Sequence, residues 1–276
     1  MVISCVQMNV LPGDPERNFA RAETLVRRAA RKKTDVVVLP ELWNTGFSPA
    51  SADPAQADED GARTKALFAP LARELNVNIL AGSVTTRKHG ALYNTAYVFS
   101  REGALAAEYD KTHLFSPMGE AAAYTAGNAL VRFPLDGVSC AAMICYDIRF
   151  PELARSLALT GLSILFVAAQ WPRPRIGQLG VLLRARAIEN QLYAALCNGC
   201  GRAGSVQYGG RSEIVSPRGE TLAKAGGGEC VVRARLELED LPRLRAELPV
   251  WNDRRPDLYG DLRGTNSKGS NAGTVR

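Results

Sequence analysis

Short apolar runs of strand length alternate along this chain with stretches of helical period. Val2–Met8 is the first apolar run, and a turn at Pro12-Gly13 ends its extension. Asp14 and Pro15 then supply an N-cap and a first-turn proline, which predicts a helix through about Lys33. Asp35–Leu39 contains VVVL, the continuous pattern of a strand buried on both faces, and stops at Pro40-Glu41. Residues 44–62 are rich in Gly, Pro, Ala and Asp and read as a loop. Thr64–Leu75 has a helical period; Val77–Gly82, Leu92–Ser100 and the short Ala104–Tyr109 read as strands.

Lys111–Gly127 holds no period and reads as a long ordered loop, a common home for function. Leu130–Phe133 and Val138–Ile144 flank Asp136-Gly137, a hairpin signal. A helix is predicted over Pro151–Leu159, ending at Gly161, then a strand over Ser163–Ala168, a helix over Gly177–Gln191 and a strand over Tyr193–Cys197. Strands near 206–215 and 230–235 and a helix over Leu238–Leu248 complete the pattern. Strands alternating with helices, interrupted by hairpins, predict an α/β layered fold with mixed sheets. There is no internal repeat and no long linker, so the expectation is one domain over 1–260. The Gly-, Ser- and Asn-rich residues 261–276 are expected to be a disordered tail.

Composition changes the picture little. The 276 residues carry a formal charge of +6, but the charges of both signs are interspersed. That reads as a solvated surface rather than a nucleic-acid face, with a mild bias towards anionic substrates. The N-terminus, MVISCVQMNV, has no secretory pattern, and no apolar run is long enough to span a bilayer. A soluble, cytoplasmic protein is expected. Most of the six cysteines sit in apolar runs, which suits buried free thiols in a reducing compartment.

Three stretches carry candidate chemistry. Leu39-Pro40-Glu41-Leu42-Trp43 puts a carboxylate just after a buried strand. Tyr109-Asp110-Lys111-Thr112-His113-Leu114-Phe115 puts a lysine at the head of the long loop. Ile144-Cys145-Tyr146-Asp147-Ile148-Arg149-Phe150-Pro151-Glu152 puts a cysteine at a strand-to-helix bend, where a nucleophile projects and backbone N–H groups can face an oxyanion. Taken singly, each has a bland reading: a surface glutamate, an exposed lysine, a small buried hydrophobe.

Together, in this order, the three stretches resemble the nitrilase superfamily of carbon–nitrogen hydrolases, whose members carry Glu, Lys and Cys in that sequence. The resemblance runs from Val2 to Tyr259 and includes Arg184-Ala185-Arg186-Ala187-Ile188-Glu189-Asn190 and Arg254-Arg255-Pro256-Asp257-Leu258-Tyr259. It implies a four-layer α-β-β-α sandwich and a homodimer or higher even oligomer, with the C-terminal segment crossing onto the partner. It implies a catalytic triad of Glu41 as general base, Lys111 as oxyanion and thiolate stabiliser, and Cys145 as nucleophile, working through a thioester. The N–H of Tyr146 is the expected second oxyanion donor. Glu120 matches a second family glutamate that orients the lysine or the substrate amide. A Cys–His dyad is the weaker alternative, since the two histidines are His89, in a turn, and His113.

No cofactor or metal is expected. Cys197-Asn198-Gly199-Cys200 has CxxC spacing but lacks the further cysteines or histidine of a zinc site, and it reads as structural. No phosphate-binding loop occurs. The sequence around Cys145, together with Ala169-Gln170-Trp171-Pro172, looks most like the omega-amidase branch, which hydrolyses 2-oxoglutaramate and similar keto-acid amides. Trp171 is an expected lining residue. Arg173 and Arg175 are two candidates for a substrate carboxylate, each equally well read as solvent-facing. Gln178-Leu179 departs from the His or aromatic residue that relatives often carry there. The alternatives are a carbamoyl-amine or deaminated-glutathione amidase, or a binding relative without turnover.

Overall fold

The computed structural model describes residues 1–47 and 52–259, so the expected tail, 261–276, lies outside the described residues. The chain divides into two compact units, Met1–Leu241 and Pro242–Arg276.

The first unit is a four-layer α-β-β-α sandwich. One mixed sheet contains β1 (Val2–Gln7), β2 (Val36–Val38), β3 (Asp58–Glu59), β4 (Asn78–Lys88), β5 (Ala91–Phe99), β6 (Leu105–Asp110) and β15 (Cys230–Arg235). Its main order is β15-β1-β2-β4-β5-β6, with β3 paired to β4. The other contains β7 (Arg132–Leu135), β8 (Val138–Ile144), β9 (Ile164–Ala169), β10 (Tyr193–Asn198), β13 (Glu213–Val215) and β14 (Thr221–Lys224), in the order β14-β13-β10-β9-β8-β7. Each sheet has three parallel strands at its centre, β1-β2-β4 and β8-β9-β10, flanked by antiparallel partners. Burial on both faces explains the unbroken apolar runs of these central strands. A small pair, β11 (Cys200–Ala203) with β12 (Val206–Gly209), stands apart.

Alternate residues of the central strands face each other across the two sheets. Ile3, Cys5, Val36, Val38 and Leu80 of one meet Cys140, Ala142, Ile164, Phe166 and Ala195 of the other. The opposite faces are covered by helices. Phe19, Ala22, Leu25 and Val26 of α1 (Pro15–Ala30) and Phe68 and Leu71 of α2 (Ala62–Leu75) pack on Val37, Leu39 and Ile79. On the other sheet, α4 (Pro151–Ala158) and α5 (Ile176–Asn190) bury Leu153, Leu157, Leu179 and Leu183. A short α3 (Glu120–Ala123) lies in the long loop.

Several boundaries differ from the sequence pattern. The Asp14 side chain accepts the N–H of Arg17, as an N-cap should, but α1 stops at Ala30 rather than Lys33. The strand expected over Val77–Gly82 continues to Lys88, because a register shift between Leu80 and Ser83 absorbs Gly82 without ending the pairing. The loop over 44–62 contains β3, and the loop over Lys111–Gly127 contains α3. β11 and β14 have little apolar alternation and gave no signal. The helix expected over Leu238–Leu248 is a 3-10 turn, Leu238–Asp240, followed by α6 (Leu241–Glu247).

Within the second unit Arg243 pairs with Glu247 across one helical turn at 2.9 Å. Arg255 and Asp257 pair at 2.7 Å at the start of α7 (Pro256–Tyr259).

Candidate active site

The carboxyl ends of β2, β6 and β8 bring three side chains to one place between the sheets. The bend after β2 carries Glu41. It is built by Gly82, whose φ of +60° lets Pro40 approach so closely that a Cβ would lie 2.0 Å from the Pro40 oxygen. Ser83 then holds the bend: its hydroxyl accepts the N–H of Leu42 at 3.0 Å, and its carbonyl accepts that of Trp43 at 3.2 Å. Leu42 itself has a φ of +40°, a strained value for a branched side chain. From the other sheet, Gln170 at the end of β9 donates its side-chain amide to the Glu41 carbonyl at 2.7 Å and its backbone N–H to Glu41 Oε2 at 2.8 Å.

Cys145 ends β8 with a φ of +48° and opens a 3-10 turn, Cys145–Arg149. This left-handed, non-glycine residue at a strand end has the conformation of a nucleophile elbow. Lys111 follows β6; its backbone N–H donates to the Asn94 carbonyl at 2.9 Å, and its carbonyl accepts that of Gly127 at 2.9 Å. Lys111 Nζ lies 2.8 Å from Glu41 Oε1 and 2.8 Å from Glu120 Oε2. Asn94 Nδ2 donates to Glu41 Oε1 and to Glu120 Oε1, each at 3.0 Å. Glu120 Oε2 also accepts the Phe115 N–H at 2.6 Å. Glu41, Lys111 and Glu120 are fully buried, and Cys145 is 6% exposed.

Burial decides the charges. By itself it would favour a neutral Lys111 amine, but the Glu41 and Glu120 carboxylates outweigh it and raise the ammonium's pKa, so its charge is fixed. Glu120 is raised by burial, against the pull of Lys111 and the Phe115 N–H. Burial and the Glu41 charge push the Cys145 thiol well above its ordinary range, against the pull of Lys111. Burial beside Glu41 therefore favours the Cys145 thiol over the thiolate.

Cys145 lies in a narrow cleft lined by Phe47, Phe115, Tyr146, Arg149, Trp171 and Arg175. Trp171 is fixed by two bonds: its N–H donates to Asn198 Oδ1 at 2.7 Å and its indole N–H to the Arg175 carbonyl at 3.0 Å. Arg149 stacks over the Trp171 ring at 4.7 Å, and its Nη2 donates to Gln178 Oε1 at 2.7 Å. Arg175 lines both the cleft and a neighbouring depression, whereas Arg173 lines only that depression, with Pro174, Ser205 and Val206. Of the two candidate arginines, the fold brings Arg175 to the cysteine.

Sequence reasoning assigned no role to Asn94, Gln170, Asp147 or Arg149. Asn94 did carry a signal: it is a polar residue inside the apolar run Leu92–Ser100, at a position that β5 buries completely. His113 stacks on Phe150 at 3.7 Å, and its Nδ1 meets Asp147 Oδ1 at 2.9 Å. The Cys197–Cys200 stretch ties β10 to β1: Cys197 Sγ donates to the Val6 carbonyl at 3.1 Å and the Cys200 N–H to that of Met8 at 2.9 Å. All six cysteines are free thiols, and no group that could hold a metal ion occurs among the described residues.

The family model for carbon-nitrogen hydrolases matches residues 2–246. The 2-oxoglutaramate amidase of Bacillus subtilis (strain 168) is 42% identical over 257 residues, which is 93% of this chain and 98% of that protein. The chloroplastic omega-amidase of Arabidopsis thaliana is 34% identical, over 93% of this chain and 73% of that one. The crystal structure of a carbon-nitrogen hydrolase from Helicobacter pylori G27 superposes with a TM-score of 0.89 at 27% identity, covering 95% of this chain and 98% of that chain. The chain belongs to the carbon-nitrogen hydrolase family.

Proposed function

We propose that this protein is a cysteine-dependent amidase that releases ammonia from a small amide bearing a carboxylate, of the 2-oxoglutaramate class. The observation that carries the reading is the buried cluster of Cys145, Glu41 and Lys111, of which Cys145 lines a cleft that also holds Arg149 and Arg175. Glu41 takes the thiol proton as the sulfur attacks the amide carbon. Charge then develops on the amide oxygen, where the Lys111 ammonium and the Tyr146 N–H are the donors. Glu41 returns the proton to the leaving ammonia, and a thioester remains on Cys145. Water, deprotonated by Glu41, cleaves that thioester and restores the thiol.

One feature bears on the substrate. Arg149 over the Trp171 ring and Arg175 over the Phe115 ring put two guanidinium groups in the cleft with Cys145, which suits a substrate carboxylate. The similarity to the Bacillus subtilis 2-oxoglutaramate amidase supports the same class. The test is ammonia release across a panel of keto-acid amides, carbamoyl-amines and nitriles. The reading holds if 2-oxoglutaramate or a close keto-acid amide has the highest kcat/KM, and fails if neutral amides or carbamoyl compounds exceed it.

The reading extends to assembly and place. Val181 and Ile188 on α5 and Leu159 after α4 are exposed apolar side chains, and they suit a homodimer face. The segment Arg254–Tyr259 is assigned to contact with the partner subunit. Six free thiols suit a reducing compartment such as the cytoplasm. No helix among the described residues is long and apolar enough to cross a membrane. Light scattering at micromolar concentration tests the dimer.

A further inference from the structure

Arg149 ends the 3-10 turn that Cys145 opens, and α5 holds that turn through two side chains. Arg186 Nε donates to the Ile148 carbonyl at 3.0 Å, which fixes the backbone of the turn. Gln178, in the first turn of α5, accepts Arg149 Nη2 on its Oε1 at 2.7 Å, which fixes the side chain. The guanidinium lies over the Trp171 ring at 4.7 Å, and both residues line the cleft of Cys145. A guanidinium only donates, so the Gln178 amide has to present its oxygen here.

The choice of partner matters for charge. Two other arginines on α5 are neutralised by acids: Arg184 pairs with Glu213 at 3.0 Å and Arg186 with Glu189 at 2.9 Å. Among the described residues no carboxylate pairs with Arg149, and none lines the cleft. An aromatic face and a neutral amide therefore hold the guanidinium in place and leave its charge uncompensated. A glutamate at position 178 would hold the same guanidinium through a charge-assisted bond and neutralise it. A methionine there would have similar length and no strong acceptor, so only the ring face would hold the guanidinium.

We propose that Gln178 is a specificity-determining positioning residue: by holding Arg149 through a neutral acceptor, it keeps an uncompensated guanidinium in the Cys145 cleft for the carboxylate of the substrate. The inference rests on the reading of an anionic amide as substrate and deepens it. Gln178 is not itself part of the cleft lining, so it acts through Arg149.

The experiment compares two chloromethyl ketones that alkylate Cys145: 5-chlorolevulinate, which ends in a carboxylate, and the neutral chloromethyl butyl ketone. In both, the sulfur forms the bond to the chlorine-bearing carbon, the carbon–chlorine bond breaks, chloride leaves with the electron pair, and the thiol proton passes to solvent. The readout is the ratio of the two rates at the Cys145 peptide, followed by mass spectrometry and divided by the same ratio for free cysteine. A change in thiol reactivity cancels in this ratio, and Gln178 is exposed, so its variants should fold. The wild-type ratio should exceed one, which requires an available positive charge. Gln178→Met should lower it roughly threefold and Gln178→Glu roughly tenfold or more, the worth of a neutral and of a charge-assisted hydrogen bond. In an Arg149→Ala background, Gln178→Met should lower it no further. A Gln178 that only braces the turn would be rescued by glutamate, which keeps the acceptor, and that rescue overturns the inference. A wild-type ratio of one overturns it, and so does a full effect of Gln178→Met without Arg149. If the ratios behave as expected but the enzyme releases ammonia from no amide, the amidase reading fails and the inference stands. If 2-oxoglutaramate is the best substrate and Gln178→Glu leaves the ratio unmoved, the inference fails and the amidase reading stands.

Discussion

Asp147 Oδ2 accepts the backbone N–H of Ile144 at 2.9 Å, so the residue before Cys145 is clamped by a carboxylate three positions further along the chain. The same carboxylate reaches the lysine loop. Oδ2 accepts the Tyr109 hydroxyl at 2.8 Å, and Oδ1 accepts the His113 N–H at 3.0 Å. One fully buried side chain therefore joins the strand end that carries Cys145 to the loop that carries Lys111.

Asp147→Ala leaves the Ile144 and His113 N–H groups and the Tyr109 and Thr112 hydroxyls without this acceptor in a buried site. The expected loss of stability is at least about 3 kcal/mol, read from chemical denaturation. Asp147→Asn keeps one acceptor oxygen, so its loss should be smaller. A variant as stable as the wild type would show that Asp147 does not hold the two segments together.

The covalent step separates an enzyme from a binding relative. Cys145→Ala should form no acyl-enzyme and still bind substrate. Cys145→Ser should be nearly as inactive, because a hydroxyl has a far higher pKa than a thiol. Glu41→Gln should slow both acylation and deacylation. Incubation of the wild type with a slow amide or ester should add the mass of the acyl group to the Cys145 peptide. Ammonia release by Cys145→Ala near the wild-type rate would rule out the mechanism.

The arginines divide by position. Arg149→Ala and Arg175→Ala should each raise KM for a carboxylate-bearing amide by roughly tenfold or more, the worth of a charge-assisted hydrogen bond. Neither should change KM for a neutral amide such as propionamide by a comparable factor. Arg173→Ala, which alters the neighbouring depression, should leave both unchanged. Steady-state kinetics on the matched pair of substrates checks all three.

Alkaline stability follows from the core thiols. Burial pushes the Cys140 thiol up to about 12 from its ordinary value of 9.0. A raised folded-state value means that the stability is fully present below the unfolded value, near 9, and is lost as pH rises towards 12. The melting temperature should therefore fall between pH 9 and 12, and Cys140→Ala should fall less steeply over that window than the wild type. Parallel slopes would mean that this thiol does not contribute to the decline.

The sequence by itself determined the layered α/β alternation, because unbroken runs such as VVVL in β2 and ILFVAA in β9 are what double burial requires. It also determined the order of Glu41, Lys111 and Cys145 and their place just beyond strand ends, since side chains with that chemistry stand directly after apolar runs. Several decisions belonged to the tertiary structure. Which arginine reaches the Cys145 cleft depends on the short turn Arg173–Arg175, which brings Arg175 but not Arg173 to its lining. Whether Asn94 is a strand residue or part of the site depends on β5 lying between β4 and β6, which sets its amide against two glutamates 26 and 53 residues away in sequence. That Cys145 rests as a thiol depends on its burial beside Glu41. Desolvation and hydrogen-bond geometry are properties of the assembled layers, and no local pattern of residues encodes them.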